Sequence, residues 1–280
     1  MGLIAASAIV FIALLLGSNI WLQSTTYEVS SPRIPPLFDG YCIVQISDLH
    51  NSRFGAGQSR LLRRIRVAHP DLIAVTGDLA GADWKRSANS LELIRQLPLL
   101  APVYFVIGNH EANTHDLRGL IEFLGGLGVH LLHNASVPVE RGEQVIELAG
   151  VDDPEGFSVG RHSWTASLTA WRQELEVVRQ RIEPNRYAIL LSHRPEFIRS
   201  YAQAGFNLVL AGHAHGGLIR IPFLGPLYAP GQGKLPRYTS GMHLLNDTTL
   251  VVSRGLGRGM TPLRFLNRPE VVIVRLRSVS

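Results

Sequence analysis

The sequence is poor in cysteine, since Cys42 is the single one among 280 residues. One thiol cannot form an internal disulfide, and we expect it to pack in the first strand of the fold. A periplasmic protein can also lack disulfides, so the count does not fix the compartment. The chain has no internal repeats or low-complexity tracts. It also has no zinc finger and no basic groove interleaved with aromatic residues, so we expect no nucleic-acid partner.

The amino terminus lacks charge from Gly2 to Thr26. Its apolar core, Leu3 to Leu22, is long enough to cross a bilayer, which takes about 20 residues. A basic leading region, a twin arginine and a small-residue cleavage site are all missing, which disfavours the main alternative of a cleaved signal peptide. A buried core helix is the other alternative, but this segment is apolar on every side and precedes a proline-rich stretch.

We therefore predict a transmembrane anchor over residues 1–26, a linker over 27–40 and one catalytic domain over 41–280. The last segment has about the length of one well-buried domain. Removal of residues 1–26 is expected to release a soluble, active domain.

Five short motifs follow five apolar runs, and each run has the length and composition of a buried strand. The motifs are Asp48-Leu49-His50, Gly77-Asp78, Gly108-Asn109-His110-Glu111, Ser192-His193 and Gly212-His213-Ala214-His215. Glycine at such positions allows close approach of the backbone and a positive φ. The carboxyl ends of strands are where open α/β sheets bind ligands. Carboxylates and imidazoles gathered there can hold a pair of divalent metal ions with open positions for water and substrate.

In this order, the motifs resemble those of the calcineurin-like metallophosphoesterase superfamily, from residue 42 to about residue 277. The similarity is greatest to its small bacterial membrane-associated phosphodiesterases. The later blocks that carry this similarity are Gly150-Val151-Asp152-Asp153, Leu210 to Gly217, Ser253 to Gly257, and Pro262 to Glu270. The resemblance implies an α/β fold of two facing mixed β-sheets flanked by helices, a metallophosphoesterase sandwich, preceded here by one N-terminal transmembrane helix.

The alternation of elements agrees with that architecture. Strand patterns occur at 41–47, 72–76, 103–107, 145–150, 187–192, 207–211, 249–253 and 271–276. Helical patterns occur near 58–68, 87–97, 115–127 and 164–183.

The resemblance also implies the site residues. Asp48, His50 and His215 would hold one metal ion, Asn109, His193 and His213 would hold the second, and Asp78 would bridge both. Two such ions would be manganese, iron or zinc, and the oxygen-rich mixed ligation favours manganese.

His110 is not assigned to a metal ion, and the resemblance implies that it protonates the leaving-group oxygen or stabilises the transition state. A carboxylate should orient its imidazole by accepting a hydrogen bond from the other ring nitrogen. Glu111 and Asp83 are both candidates for this supporting role, and the sequence does not choose between them.

The function implied is hydrolysis of phosphodiester or pyrophosphate bonds near the membrane, in its most concrete form on a UDP-diacylglucosamine-type lipid precursor. Phosphomonoester or nucleotide phosphodiester hydrolysis on soluble substrates is the alternative, and a non-catalytic binding module is a further one. The net charge of +5 suits anionic lipids or phosphorylated substrates. The expected location is a bacterial inner membrane, single-pass. Arg33 and the arginines between residues 53 and 66 favour a cytoplasmic catalytic domain, although no basic cluster flanks the apolar run.

Overall fold

The structure, a computed structural model, describes residues 17–81, 83–158, 163–217, 219–221, 224–259 and 264–279. Its strands, β1 to β15, are Gln23–Ser31, Cys42–Ile46, Leu72–Val75, Val103–Phe105, His130–Leu131, Ala135–Arg141, Gln144–Gly150, Ala188–Leu191, Leu208–Ala211, Ile219–Ile221, Gly225–Ala229, Gly233–Lys234, Gly241–Leu245, Thr248–Val252 and Glu270–Ser278. Its helices, α1 to α6, are Ser59–Val67, Ala88–Gln96, Asn109–Ala112, Leu117–Gly126, Trp164–Gln180 and Ile198–Ala204. Residues 17–20 are also helical.

Two six-stranded sheets form the centre of the fold. The first has the order β1-β15-β2-β3-β4-β5, and the second has the order β13-β14-β9-β8-β7-β6. Both are mixed, because β15 runs antiparallel to β2 in the first, and β13 and β6 run antiparallel to their neighbours in the second. A small third sheet contains β10, β11 and β12.

The two sheets pack face to face because their strands are apolar on both faces. In β8, Ile189 and Leu191 lie in the layer between the sheets, whereas Ala188 and Leu190 face the outer layer. The outer face of the second sheet packs against α5 and α6 through residues such as Trp171. The outer face of the first sheet packs against α1, α2 and α4. The predicted α/β fold of two facing mixed sheets flanked by helices is confirmed.

The amino-terminal boundaries of the sequence prediction are wrong within the described residues. Strand β1, Gln23–Ser31, runs parallel to β15 over its whole length and so belongs to the first sheet. It contains four residues of the predicted anchor and five of the predicted linker. Polar and apolar residues alternate over residues 27–30, with Val29 buried, as expected of a strand with one covered face.

Most of the predicted membrane anchor, residues 1–16, lies outside the described residues. Among the helices that are described, none has both the length and the hydrophobicity required to cross a bilayer.

Candidate metal centre

The predicted ligands lie at one edge of the fold, where the carboxyl ends of strands from both sheets meet. Asp48 and His50 follow β2, Asp78 follows β3 and Asn109 follows β4, all in the first sheet. His193 follows β8, and His213 and His215 follow β9, in the second sheet. The two halves are joined directly, because the backbone N–H of His213 donates to both carboxylate oxygens of Asp48 at 3.0 and 3.1 Å.

Two glycines permit this close approach. A Cβ atom added at Gly77 would lie 2.6 Å from the Cα of Gly108, and Gly77 also has a φ of 86°. A Cβ atom added at Gly108 would lie 2.3 Å from Oδ1 of Asp78. Both distances are too short for a side chain, so the glycines of these two motifs are required by the packing of the loops.

Five of the seven predicted ligands have a positive φ that side chains seldom adopt. The angles are 51° for Asp48, 44° for His50, 53° for Asp78, 61° for His213 and 52° for His215. Each such conformation costs about 1–3 kcal/mol for a non-glycine residue, and such residues cluster at functional sites. Turning these side chains toward one point therefore lowers the stability of the fold.

The first group consists of Asp48, His50 and His215. The Nε2 atoms of His50 and His215 lie 3.2 Å apart. The Nε2 atom of His215 also lies 3.6 Å from Oδ1 of Asp48. The three ligand atoms lie within 4.8 Å of one another, which is close enough for a single cation to contact all three.

The second group contains Asn109, His193 and His213. The Nε2 atom of His193 lies 3.1 Å from Oδ1 of Asn109 and 3.1 Å from Nδ1 of His213. The Nδ1 atom of His193 lies 2.7 Å from the carbonyl oxygen of Thr76, to which it can donate. This hydrogen bond orients the ring so that Nε2 faces the group.

Asp78 lies between the two groups. Its Oδ2 atom is 3.3 Å from Nε2 of His193 in the second group and 3.6 Å from Nε2 of His50 in the first. The side chain is only 2% exposed, so solvent does not screen it. One carboxylate therefore contacts both groups, which is the arrangement that a bridging ligand requires.

Three of the four imidazoles among the predicted ligands are held neutral by burial. Burial lowers the pKa of His50 to about 4. Burial also lowers the pKa of His213 and of His215 well below 6.5. Neutral imidazole is the form that binds a metal ion, so these three rings need not lose a proton first.

His193 and Asp78 form a buried charged pair instead. Burial lowers the pKa of His193, but the negative charge of Asp78 and a hydrogen bond to it prevail and raise the value to about 10. Burial likewise opposes the charge of Asp78, yet the positive charge of His193 keeps the pKa of Asp78 well below 3.8. Burial raises the pKa of Asp48 to about 6, which leaves it mostly ionised at neutral pH.

These residues fit a pair of divalent cations. The set offers two carboxylates, one amide oxygen and four imidazoles, and ring nitrogens face each other at 3.2 Å in the first group and 3.1 Å in the second. Mixed oxygen and nitrogen ligands suit manganese, iron and zinc. The negative potential that retains a proton on His193 would equally attract a cation.

His110 stands beside this set at the surface. Its side chain is 38% exposed, and its Nε2 atom lies 3.9 Å from Oδ2 of Asp78. Its ring meets that of His50 edge to face, with centroids 4.6 Å apart. The backbone N–H of His110 donates to Oδ1 of Asp78 at 2.9 Å. His110 is therefore both close to the predicted ligands and open to a substrate.

The prediction that Glu111 or Asp83 orients the His110 ring is wrong for the contacts that the structure describes. Glu111 is buried and accepts hydrogen bonds from the backbone N–H groups of Asp78, Ala80 and Gly108 at 2.8, 3.1 and 3.1 Å. Its carboxylate is thus occupied with backbone donors of two site loops. Asp83 is largely exposed and pairs with Arg86 on the surface at 3.2 Å.

Sequence reasoning missed the buried ion pair behind His193. Arg194 donates from Nε to Oδ2 of Asp153 at 2.6 Å and from Nη2 to Oδ1 at 3.0 Å. Nη2 also donates to Glu155 at 2.5 Å. The network ties the loop after β8 to the loop after β7. The sequence does place Asp153 after one predicted strand and Arg194 after the next. It does not indicate that the two side chains pair, and the structure shows that they do.

Comparison with known proteins identifies relatives that are named metallophosphoesterases and phosphodiesterases. The profile of the family described as calcineurin-like phosphoesterase matches residues 42–217. The uncharacterized metallophosphoesterase YkuE of Bacillus subtilis is 30% identical over 265 residues, covering 92% of this chain and 87% of YkuE. The phosphodiesterase YaeI of Escherichia coli is 27% identical, covering 84% of this chain and 81% of YaeI. A Bos taurus transmembrane protein with metallophosphoesterase domain is 30% identical, and the match spans 57% of that protein.

Proposed function

Since the chain belongs to the calcineurin-like phosphoesterase family and is a metal-dependent phosphoric ester hydrolase, we propose that it cleaves phosphodiester or diphosphate bonds of a lipid-linked substrate at a membrane surface. A UDP-diacylglucosamine-type lipid precursor is the most concrete form of such a substrate. The observation that carries the hydrolytic part is the contact of Asp78 with both ligand groups.

The residues have distinct roles in this reaction. Asp48, His50 and His215 would hold one cation, Asn109, His193 and His213 the other, and Asp78 both, with manganese favoured by the ligand types. When bound, such a pair of cations polarises phosphoryl oxygens and lowers the pKa of water.

His110 supplies the proton chemistry of the leaving group. Its half-exposed ring next to Asp78 can approach an ester oxygen of a substrate bound over the two groups. Proton donation by a positioned imidazole is worth about 10²–10⁴-fold in rate.

Support for a membrane substrate comes from residues 17–22, which continue the apolar amino-terminal sequence. Ile20 and Trp21 are 46% and 60% exposed. With Leu22 they line a cavity whose other wall is formed by three arginines of α1, Arg60, Arg63 and Arg64. Exposed aromatic and apolar side chains beside arginines suit the interface of an anionic bilayer.

We place the protein in a bacterial inner membrane through its amino-terminal apolar segment, with the catalytic domain on the cytoplasmic side. The uncharged sequence over residues 1–26 and the arginines that follow it support this location. The bovine relative is itself named a transmembrane protein.

The test is hydrolysis by the full chain in detergent, stripped of metal and resupplied with manganese. Bis(p-nitrophenyl) phosphate, p-nitrophenyl phosphate and a UDP-linked diacylglucosamine lipid are compared, in parallel with the variants Asp78→Asn and Asp83→Asn. The second variant is the matched control, because it makes the same chemical change at an exposed position of the same loop.

We expect manganese-dependent cleavage of the diester and of the lipid, lost in Asp78→Asn and retained in Asp83→Asn. Cleavage of the monoester alone would replace the proposal by a phosphomonoesterase acting on soluble substrates. No turnover of any substrate by a chain that binds two manganese ions would favour a binding module.

A further inference from the structure

A basic cavity of about 380 Å³ adjoins the predicted metal centre. Its lining includes the ligand His50, the arginines Arg53, Arg258 and Arg264, and Asn19. Arg53 and Arg258 are exposed at its rim, whereas Arg264 is only 3% exposed. The cavity volume lies in the range of small-molecule sites and exceeds the need of a water molecule several-fold.

Arg264 is a buried cation with an unused hydrogen-bond donor. Its Nε and Nη2 atoms donate to the carbonyl oxygen of Gly257, and Nη2 also donates to the carbonyl of Arg254. Its Nη1 atom is buried and finds no hydrogen-bond partner among the residues that the structure describes. Burial lowers the pKa of Arg264, but only to about 10, so the side chain stays charged at neutral pH.

A buried charge whose hydrogen-bond donor has no acceptor destabilises the protein unless a bound anion supplies that acceptor. The nearby buried carboxylate of Glu270 is already paired with Arg254 at 2.8 Å. The Arg264 position is also fixed through its backbone, because its N–H donates to the side chain of Asn19 at 2.9 Å and its carbonyl accepts from it at 2.8 Å. The guanidinium is thus preorganised beside the first ligand group.

Building on the proposed function, we propose that Arg264, assisted by Arg53 and Arg258, binds a second phosphate of a diphosphate substrate whose first phosphate lies over the metal centre. The Nη1 group of Arg264 is the part of its guanidinium that has no carbonyl acceptor among the described residues, and it would donate to a phosphate oxygen as a charge-assisted hydrogen bond. Arg264 is positively charged and therefore attracts a negatively charged diphosphate. Arg264 and His50 line the same cavity, so a phosphate bound to Arg264 would lie next to the phosphate over the metal centre.

In this arrangement Arg264 contacts the leaving group, which is the second phosphate. Hydrolysis adds the oxygen of water to the first phosphorus and breaks its bond to the bridging oxygen. The electron pair of that bond stays on the bridging oxygen, which leaves with the second phosphate, and the two protons of the water pass to the product phosphates or to solvent. The guanidinium would therefore face the charge that develops as the bond breaks.

The test compares two substrates that differ by one phosphate, bis(p-nitrophenyl) phosphate and P1,P2-bis(p-nitrophenyl) diphosphate, with the manganese-loaded full chain. Arg264→Lys keeps the charge and removes the Nη1 donor. Arg53→Gln is a second variant at an exposed position, useful if Arg264→Lys folds poorly. Arg172→Gln on the outward face of α5 is the control, because it removes one positive charge far from the cavity.

We expect Arg264→Lys to raise the KM for the diphosphate at least tenfold and Arg53→Gln about threefold, with a much smaller change in the KM for the monophosphate diester. The control should change neither value. Equal effects on both substrates would assign Arg264 to the reacting phosphate and overturn the second site. Cleavage of the diester without any cleavage of the diphosphate would overturn it as well, while leaving the phosphoesterase function intact.

Direct binding separates the site from catalysis. Equilibrium dialysis of labelled pyrophosphate and of labelled phosphate against the metal-stripped full chain is expected to show tighter binding of pyrophosphate, weakened at least fivefold in Arg264→Lys and unchanged in Arg172→Gln. Equal binding by the wild type and Arg264→Lys would refute the site even if hydrolysis were never observed.

Discussion

Oε2 of Glu111 accepts a hydrogen bond of 2.8 Å from the backbone N–H of Asp78, the carboxylate that contacts both ligand groups. Oε1 of the same side chain accepts from Ala80, and Oε2 accepts also from Gly108. Glu111 therefore fixes the loop after β3 against the loop after β4 from behind the site. Its role is to position Asp78 and not to touch the substrate.

Substitution of Glu111 by glutamine should destabilise the fold and lower activity together. An amide group presents N–H donors to a backbone N–H, so at least one of the three hydrogen bonds is lost, at a cost of about 1–3 kcal/mol. Urea unfolding measures the loss of stability, and diester hydrolysis measures the loss of activity. Glu122→Gln on the exposed face of α4 is the control and should change stability by less than about 0.5 kcal/mol. Unchanged stability and activity in Glu111→Gln would contradict the positioning role.

Substitution of His110 by glutamine should lower kcat by about 10²-fold or more, since a general acid contributes roughly 10²–10⁴. Metal content should stay at the wild-type level, because His110 is not one of the seven predicted ligands. Inductively coupled plasma mass spectrometry provides the metal count, and His115→Gln at an exposed position serves as control. Loss of an ion in His110→Gln would make the residue a ligand.

The motifs of the site and the strands that carry them follow from sequence, because a buried strand followed by glycine and polar residues is a local pattern. Strand β2 was expected at 41–47 and is Cys42–Ile46, and α1 was expected near 58–68 and is Ser59–Val67. The sequence could not place Glu111, because its partners are backbone N–H groups of two other loops.

The first strand was missed for a different reason. Its residues directly follow a long apolar run, the first four are all polar, and the alternation is confined to residues 27–30. Pairing with β15, almost 250 residues later in the chain, is what makes the segment a strand. Such long-range pairing leaves little trace in local composition.

This strand changes the expected effect of truncation. A chain that starts at Tyr27 loses four paired residues of β1 and the contact of Asn19 with Arg264. The loss should cost about 2–5 kcal/mol, at about 0.5–1.5 kcal/mol per hydrogen bond. A chain that starts at Gly17 keeps these contacts and should be more stable than the shorter chain by this amount in urea unfolding. Equal stability of the two truncated chains would show that residues 17–26 contribute nothing to the stability of the fold.

Stability should also depend on the pH through His133. A hydrogen bond to Asp152 raises the pKa of His133, and burial raises the pKa of Asp152. Both groups thus bind protons more tightly in the folded state, so the folded state is favoured at lower pH. The stabilising contribution of His133 is fully present below its unfolded pKa of about 6.5 and is lost as the pH rises through its folded pKa.

Urea unfolding of the wild type and of His133→Asn at several values between pH 6 and pH 9 measures this contribution. The difference should be largest near pH 6, at most about 1 kcal/mol because the pair is partly exposed, and should shrink as the pH rises. A difference that grows with pH would mean that the neutral ring is the stabilising form.

The central claim is that Asp78 joins two cation sites, and metal counting on Asp78→Ala tests it most directly. The full chain in detergent is equilibrated with manganese and dialysed, bound metal per chain is counted, and the same samples are assayed for diester hydrolysis. We expect two ions per wild-type chain, fewer than two in Asp78→Ala, and at least a 10³-fold loss of activity in that variant. Two bound ions with full activity in Asp78→Ala would contradict the account.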